Sequence, residues 1–177
     1  MASKTIHNCS KDSTKIPPTV ELLLQSERLA KKVKAGTATI GVFVELGRLS
    51  ELFSRMNKHS EHLFCKKLQA NYLYRKYQAS TYPATRLKIL EQAHDLAVDV
   101  VITAETKKVI AASFYKILLL TKNELATLRR SLGFVKDADA LENCAARFFK
   151  KAQKLFPSYT KFPVPNSQTF KTAHYEL

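Results

Sequence analysis

An all-α fold, an up-and-down bundle of four to five helices, is what this sequence predicts, and three observations carry the prediction. The 177 residues include only four glycines and six prolines, and these lie between long uninterrupted stretches. Within those stretches apolar residues recur at steps of three and four, the period of one helix face. The joints between them are short, which makes consecutive helices antiparallel neighbours. An apolar fraction of 45% suffices for a single hydrophobic core in a chain of this length.

The elements follow in chain order. Residues 1–16 are polar and are expected to be flexible. Pro17 and Pro18 lead into Thr19, a residue type that caps helix N-termini, and Val20, Leu23, Leu24, Ala30 and Val33 then share a face until Gly36. From 38 to 77 no proline intervenes. Here Val42, Leu46, Leu49, Phe53 and Met56 form a packing seam that lapses over 57–62 and resumes at Leu63, Phe64 and Leu68. One bent helix and two helices meeting at the lapse both satisfy this pattern.

Pro83 suits the first position of a helix over 83–104, in which Ile89, Leu90, Ala93, Leu96, Ala97, Val100, Val101 and Ala104 gather on one side. A joint at 105–108 precedes a seam of Ile110, Phe114, Ile117, Thr121, Leu125, Leu128 and Leu132 that runs to Gly133. The last helix begins near Asp137 and presents Leu141, Cys144, Ala145, Phe148, Ala152 and Leu155 before Pro157 ends it. The bundle therefore spans 17–156. Its tail, 157–177, carries Tyr159, Phe162, Phe170 and Tyr175, too many aromatics for a mere linker, and is expected to dock on the bundle or on a partner. Leu119 falls nearly opposite the seam of its own helix and calls for a second neighbour there: the first helix, the tail or another subunit.

Charge is the strongest guide to function. Twenty-nine Lys and Arg against 15 Asp and Glu give a net charge of +14, which attracts polyanions. The 83–104 helix alone is net acidic; its Glu91, Asp95 and Asp99 form a ridge suited to solvent, to a partner or to a basic neighbour. In the stretch "CKKLQANYLYRKYQ", Lys66, Lys67, Tyr74, Arg75 and Tyr77 define one candidate nucleic-acid patch, with Tyr74 and Tyr77 as surface rings and Tyr72 in the core. Exposed rings stack on unpaired bases by roughly 1–3 kcal/mol each. Lys108, Tyr115, Lys122 and Arg129 recur at sevens beside the next seam, and Lys108, Lys122, Arg129 and Arg130 make a second patch. Lys150, Lys151 and Lys154, with Arg147, face away from Phe148 and Ala152 on the last helix and make a third.

Glu91 and His94 spell one ExxH pair, but a di-iron bundle needs a second pair and further glutamates, and the chain has no second ExxH. His59, His62 and Cys65 sweep around a helix with no fourth ligand, which suits a polar helix joint better than a metal site. Phosphate-loop, dinucleotide and nucleophile-elbow motifs do not occur. Neither an enzyme nor a cofactor is expected. Three scattered cysteines, no apolar leader and no membrane-length run point to a reducing, cytoplasmic setting.

The order "PATRLKILEQAHDLAVDVVITA", a brief polar joint, "SFYKILLLTKNELATLRRSLGF" and a closing amphipathic helix resembles the Avd-type accessory proteins of diversity-generating retroelements over about 83–156, with Arg129 and Arg130 as the arginines of the family's third helix. The extra N-terminal helix and the long tail depart from that compact pattern. The resemblance implies a ring-forming oligomer that binds RNA or DNA and a reverse transcriptase without catalysis of its own. The sequence thus favours a non-enzymatic binder of RNA or single-stranded DNA, an accessory subunit of a nucleoprotein complex. The alternative is an adaptor whose bundle and tail dock on an acidic protein or a membrane surface.

Overall fold

A computed structural model describes residues 18–165. Among these the chain forms six helices and no strand: α1 (Pro18–Ala35), α2 (Ile40–Arg55), α3 (His59–Ala79), α4 (Pro83–Thr106), α5 (Ala112–Ser131) and α6 (Val135–Leu155). The lapse at 57–62 is therefore a boundary between two helices, which brings the count to six. α6 starts at Val135, two residues before the capping Asp137 that the sequence suggests.

Each helix runs antiparallel to the one before it, as the side-chain bonds between neighbours show. Gln25 meets Glu45 across α1 and α2, and Ser50 meets His62 across α2 and α3. Lys66 meets Asp99 across α3 and α4, Arg129 meets Glu91 across α4 and α5, and Arg130 meets Asp139 across α5 and α6.

Four of the helices end in one local motif. In α1, Gly36 N–H donates to Val33 O at 3.2 Å and Thr37 N–H to Lys32 O at 3.1 Å, with Gly36 at φ 77°. This paired closure requires a left-handed residue just past the helix, where glycine has no steric cost. Gly133 fills that place after α5, at φ 87°. After α2 it is Asn57 at φ 55°, and Lys58 N–H reaches Phe53 O at 2.8 Å. After α4 it is Lys108 at φ 56°, a conformation that costs an ordinary L-residue roughly 1–2 kcal/mol.

α3 is buried from two sides and serves two cores. Its Cys65, Leu68 and Tyr72 join Val33, Leu46 and Phe53 of α1 and α2. Its Leu63 and Ala70 join Val100, Leu118 and Phe149 of the α4–α6 side. Tyr72 is a core residue, as its spacing indicates. Leu119 is wholly buried in the second core, which includes Phe162 of the tail. The Tyr159 and Phe162 rings lie 4.7 Å apart, and Asn123 Nδ2 donates to Val164 O at 3.0 Å, which holds 159–164 against the bundle. Phe170 and Tyr175, like residues 1–16, lie outside the described residues. No helix is long and apolar enough to cross a membrane.

Candidate nucleic-acid interface

Tertiary packing divides the nominated cations into those that bind carboxylates and those that do not. Lys66 is paired with Asp99. Arg129 bridges Glu91 at 2.9 Å and Asp137 at 3.5 Å, and Arg130 bridges Asp139 at 2.7 Å and Glu142 at 3.0 Å. Lys151 reaches Glu105 at 2.6 Å. These four arginines and lysines thus tie helices together, and the acidic ridge of α4 is a ledge for basic neighbours at Glu91 and Asp99.

Two of the nominated tyrosines are not surface rings. Tyr77 is 4% exposed, donates to Glu124 Oε2 at 2.9 Å and accepts from Arg86 at 3.1 Å, with the Arg86 guanidinium 4.8 Å above its ring. Tyr74 is half-buried, its ring 5.9 Å from that of Tyr77, and burial together with Glu124 pushes its phenol up to about 12. The expected row of sevens on α5 also closes up. Tyr115 is wholly buried and donates to Glu105.

Lys122 is 5% exposed, 3.5 Å from His94 Nε2 and 5.6 Å from the Phe148 ring centroid. This lysine sits beside the seam residue Thr121, and both α4 and α6 cover it. His94 faces inward rather than out along the acidic ridge. Its Nδ1 meets Thr121 Oγ1 at 3.3 Å, and the Thr121 hydroxyl donates to Ile117 O at 3.0 Å. The ring is therefore a neutral Nδ1–H tautomer, because Nε2 accepts from Lys122. Burial, with Lys122 and Arg129 nearby, lowers its pKa to about 4. Cys65 is wholly buried, and burial raises its thiol to about 12. His62 is engaged by Ser50. Among the described residues no three His, Cys, Asp or Glu side chains gather as a metal site.

What remains open is a cleft between α1 and α3. Phe64, Lys67, Asn71 and Arg75 follow at steps of three and four along α3, and Ala30, Val33 and Lys34 face them from α1 across about 360 Å³. Lys67 Nζ lies 4.5 Å above the Phe64 ring, and burial lowers its pKa with no carboxylate beside it to offset the cost. Arg75 stands at the mouth, where its guanidinium donates to Lys34 O at 2.9 Å. A Cβ on Gly36 would come within 3.2 Å of the same guanidinium, so glycine serves both the turn and this contact.

A second carboxylate-free array lies along the outer side of α6. Lys136, Arg147, Lys150 and Lys154 fall at helical spacing, all exposed and opposite buried Ala145, Phe149 and Ala152. Lys108 is exposed in the α4–α5 joint. Of the nominated residues, then, the fold leaves Lys67 and Arg75 in the cleft, Lys150 and Lys154 on α6, and Lys108 free of carboxylate partners among the described residues. Lys34, Phe64, Asn71 and Lys136 are additions. The steps of three and four joining Phe64, Lys67, Asn71 and Arg75 were visible in sequence, whereas Lys34 joins them only once α1 is placed on α3. The chain matches no family model, no curated protein and no solved structure.

Proposed function

We propose that the protein is a non-catalytic binder of single-stranded nucleic acid, RNA or DNA, that serves as an accessory subunit of a nucleoprotein complex. The observation that carries this reading is the α1–α3 cleft, where Lys34, Lys67 and Arg75 surround an aromatic ring and an amide with no carboxylate among the lining residues. A phosphate there would relieve the desolvation that Lys67 bears alone, and Phe64 offers an apolar ring edge to an unpaired base. Asn71 adds both a donor and an acceptor. The α6 array extends the positive field to a second face and suits a strand that wraps the bundle. From the resemblance to Avd-type proteins comes the further proposal that copies assemble into a ring and engage a reverse transcriptase.

Charge reversal separates the cleft from the helix-tying cations. Lys67→Glu with Arg75→Glu should weaken binding of a generic oligonucleotide at least about tenfold, across unrelated sequences alike. Lys66→Glu, which disrupts the pair with Asp99, should change binding far less than it changes stability. Equal losses in the two variants would remove the cleft from the reading.

A further inference from the structure

Because α1, α3 and α5 run the same way, the turns at 36–39, 80–82 and 132–134 all lie at one end of the bundle. Each turn, or the helix residue that follows it, carries a large apolar side chain out into solvent. Tyr82 is 75% exposed, Ile40 is 66% exposed and Phe134 is 54% exposed, with Val44 and Val135 beside the last two. Tyr82 and Ile40 are the most exposed large hydrophobics among the described residues.

Cations interleave with these tips. Lys34, Lys76 and Lys136 are exposed at the same end and form no ion pair among the described residues. The acids there, Asp137 and Asp139, are already held by Arg129 and Arg130. The apolar tips therefore share their end of the bundle with exposed cations that form no ion pair among the described residues.

Three separated projections at one end of the bundle do not form a groove for a peptide, and two copies meeting end to end would bring like charges together. They suit a flat, negatively charged surface. We propose that this end docks peripherally on an anionic lipid surface, with Ile40, Tyr82 and Phe134 entering the headgroup boundary and Lys34, Lys76 and Lys136 meeting lipid phosphates. Tyrosine suits that depth, with an apolar ring below and a hydroxyl in water. Lys34 and Lys136 are shared with the cleft and the α6 array, whereas the apolar tips Ile40, Tyr82 and Phe134 lie outside both and separate this proposal from the nucleic-acid reading.

Flotation of the full chain with vesicles of phosphatidylcholine alone, and of phosphatidylcholine with one part in about three phosphatidylserine, tests it. The protein should float with the anionic vesicles and stay behind with the neutral ones. The double variant Ile40→Ser with Phe134→Ser should lose about tenfold or more of that partition while its oligonucleotide affinity is unchanged. The sequence contains no tryptophan, so Phe134→Trp gives a single reporter whose emission should shift to the blue on anionic vesicles. Absence of flotation, flotation undiminished in the double variant, or unshifted emission overturns the proposal. So does a double variant that changes subunit number instead, which would assign the tips to a second copy.

Discussion

Arg75 closes the end of α1: its Nη2 donates to the backbone carbonyl of Lys34 at 2.9 Å, across 41 residues of sequence. The last carbonyls of a helix have no partner within it, so an arginine from α3 fills a place that water would otherwise take. The same side chain forms the mouth of the cleft, and architecture and proposed binding meet in it.

Replacing Arg75 with Gln should therefore do two things. Stability should fall by about 1 kcal/mol, as expected for one exposed charge-assisted bond, with amide exchange in the last turns of α1 accelerating most. Oligonucleotide affinity should fall as well. Urea titration and hydrogen exchange read the first effect, and fluorescence anisotropy reads the second.

Lys108 occupies the left-handed position after α4, where the backbone is strained for any side chain with a Cβ. Lys108→Gly should raise stability by about 1 kcal/mol and the melting temperature with it. Gly133, in the corresponding place after α5, already has the residue this turn favours, so Gly133→Ala should destabilise by a similar amount although nothing lies within 4 Å of the added carbon. Calorimetry on the two variants checks both signs.

Tyr77→Phe removes the donor to Glu124 and the acceptor for Arg86 inside the α3–α5 contact. The expected cost is about 1–2 kcal/mol of stability, because a part-buried carboxylate loses a partner. Oligonucleotide affinity should not change, since the ring is covered. A loss of affinity without loss of stability would return Tyr77 to the interface.

Apolar spacing reports which side of a helix is covered, and it located the seams of α2, α4 and α5 and the coreward turn of Tyr72. It does not report how many neighbours cover a helix. α3 is packed from both sides, so Tyr77, which on a singly packed helix would stand among cations in solvent, lies against Glu124 of α5. Lys122 follows Thr121, a seam residue, and its position at the edge of the seam becomes interior once α6 closes over it. Ion pairing was equally hidden for Lys66 and Arg129, because their partners Asp99 and Glu91 are distant in sequence. On α6, by contrast, Lys150 and Lys154 were placed outward by periodicity alone, because only one side of that helix is covered.

His94 sets a pH dependence with a definite sign. Its ordinary value of 6.5 is lowered to about 4 in the fold, first by burial and then by Lys122 and Arg129. As pH falls through 6.5 the unfolded chain takes up a proton that the folded one refuses until about 4. Stability is therefore highest above that window, is lost through it by about 3 kcal/mol in total, and levels off below. His94→Gln should flatten the slope between those limits in urea midpoints measured across pH. Glu45 and Glu105, whose pKa values are lowered from 4.5, contribute their losses only at the acidic edge.

The most direct measurement is the affinity of the full chain for a generic single-stranded oligonucleotide as ionic strength is varied. Contacts between the free cations and phosphates predict that log affinity falls linearly with log salt, with a slope of about −0.7 for each phosphate neutralised. The slope should become shallower when Lys67, Arg75, Lys150 and Lys154 are replaced by Gln, and should be unchanged in Lys66→Gln. A slope near zero, or one that these four substitutions leave intact, would contradict the account.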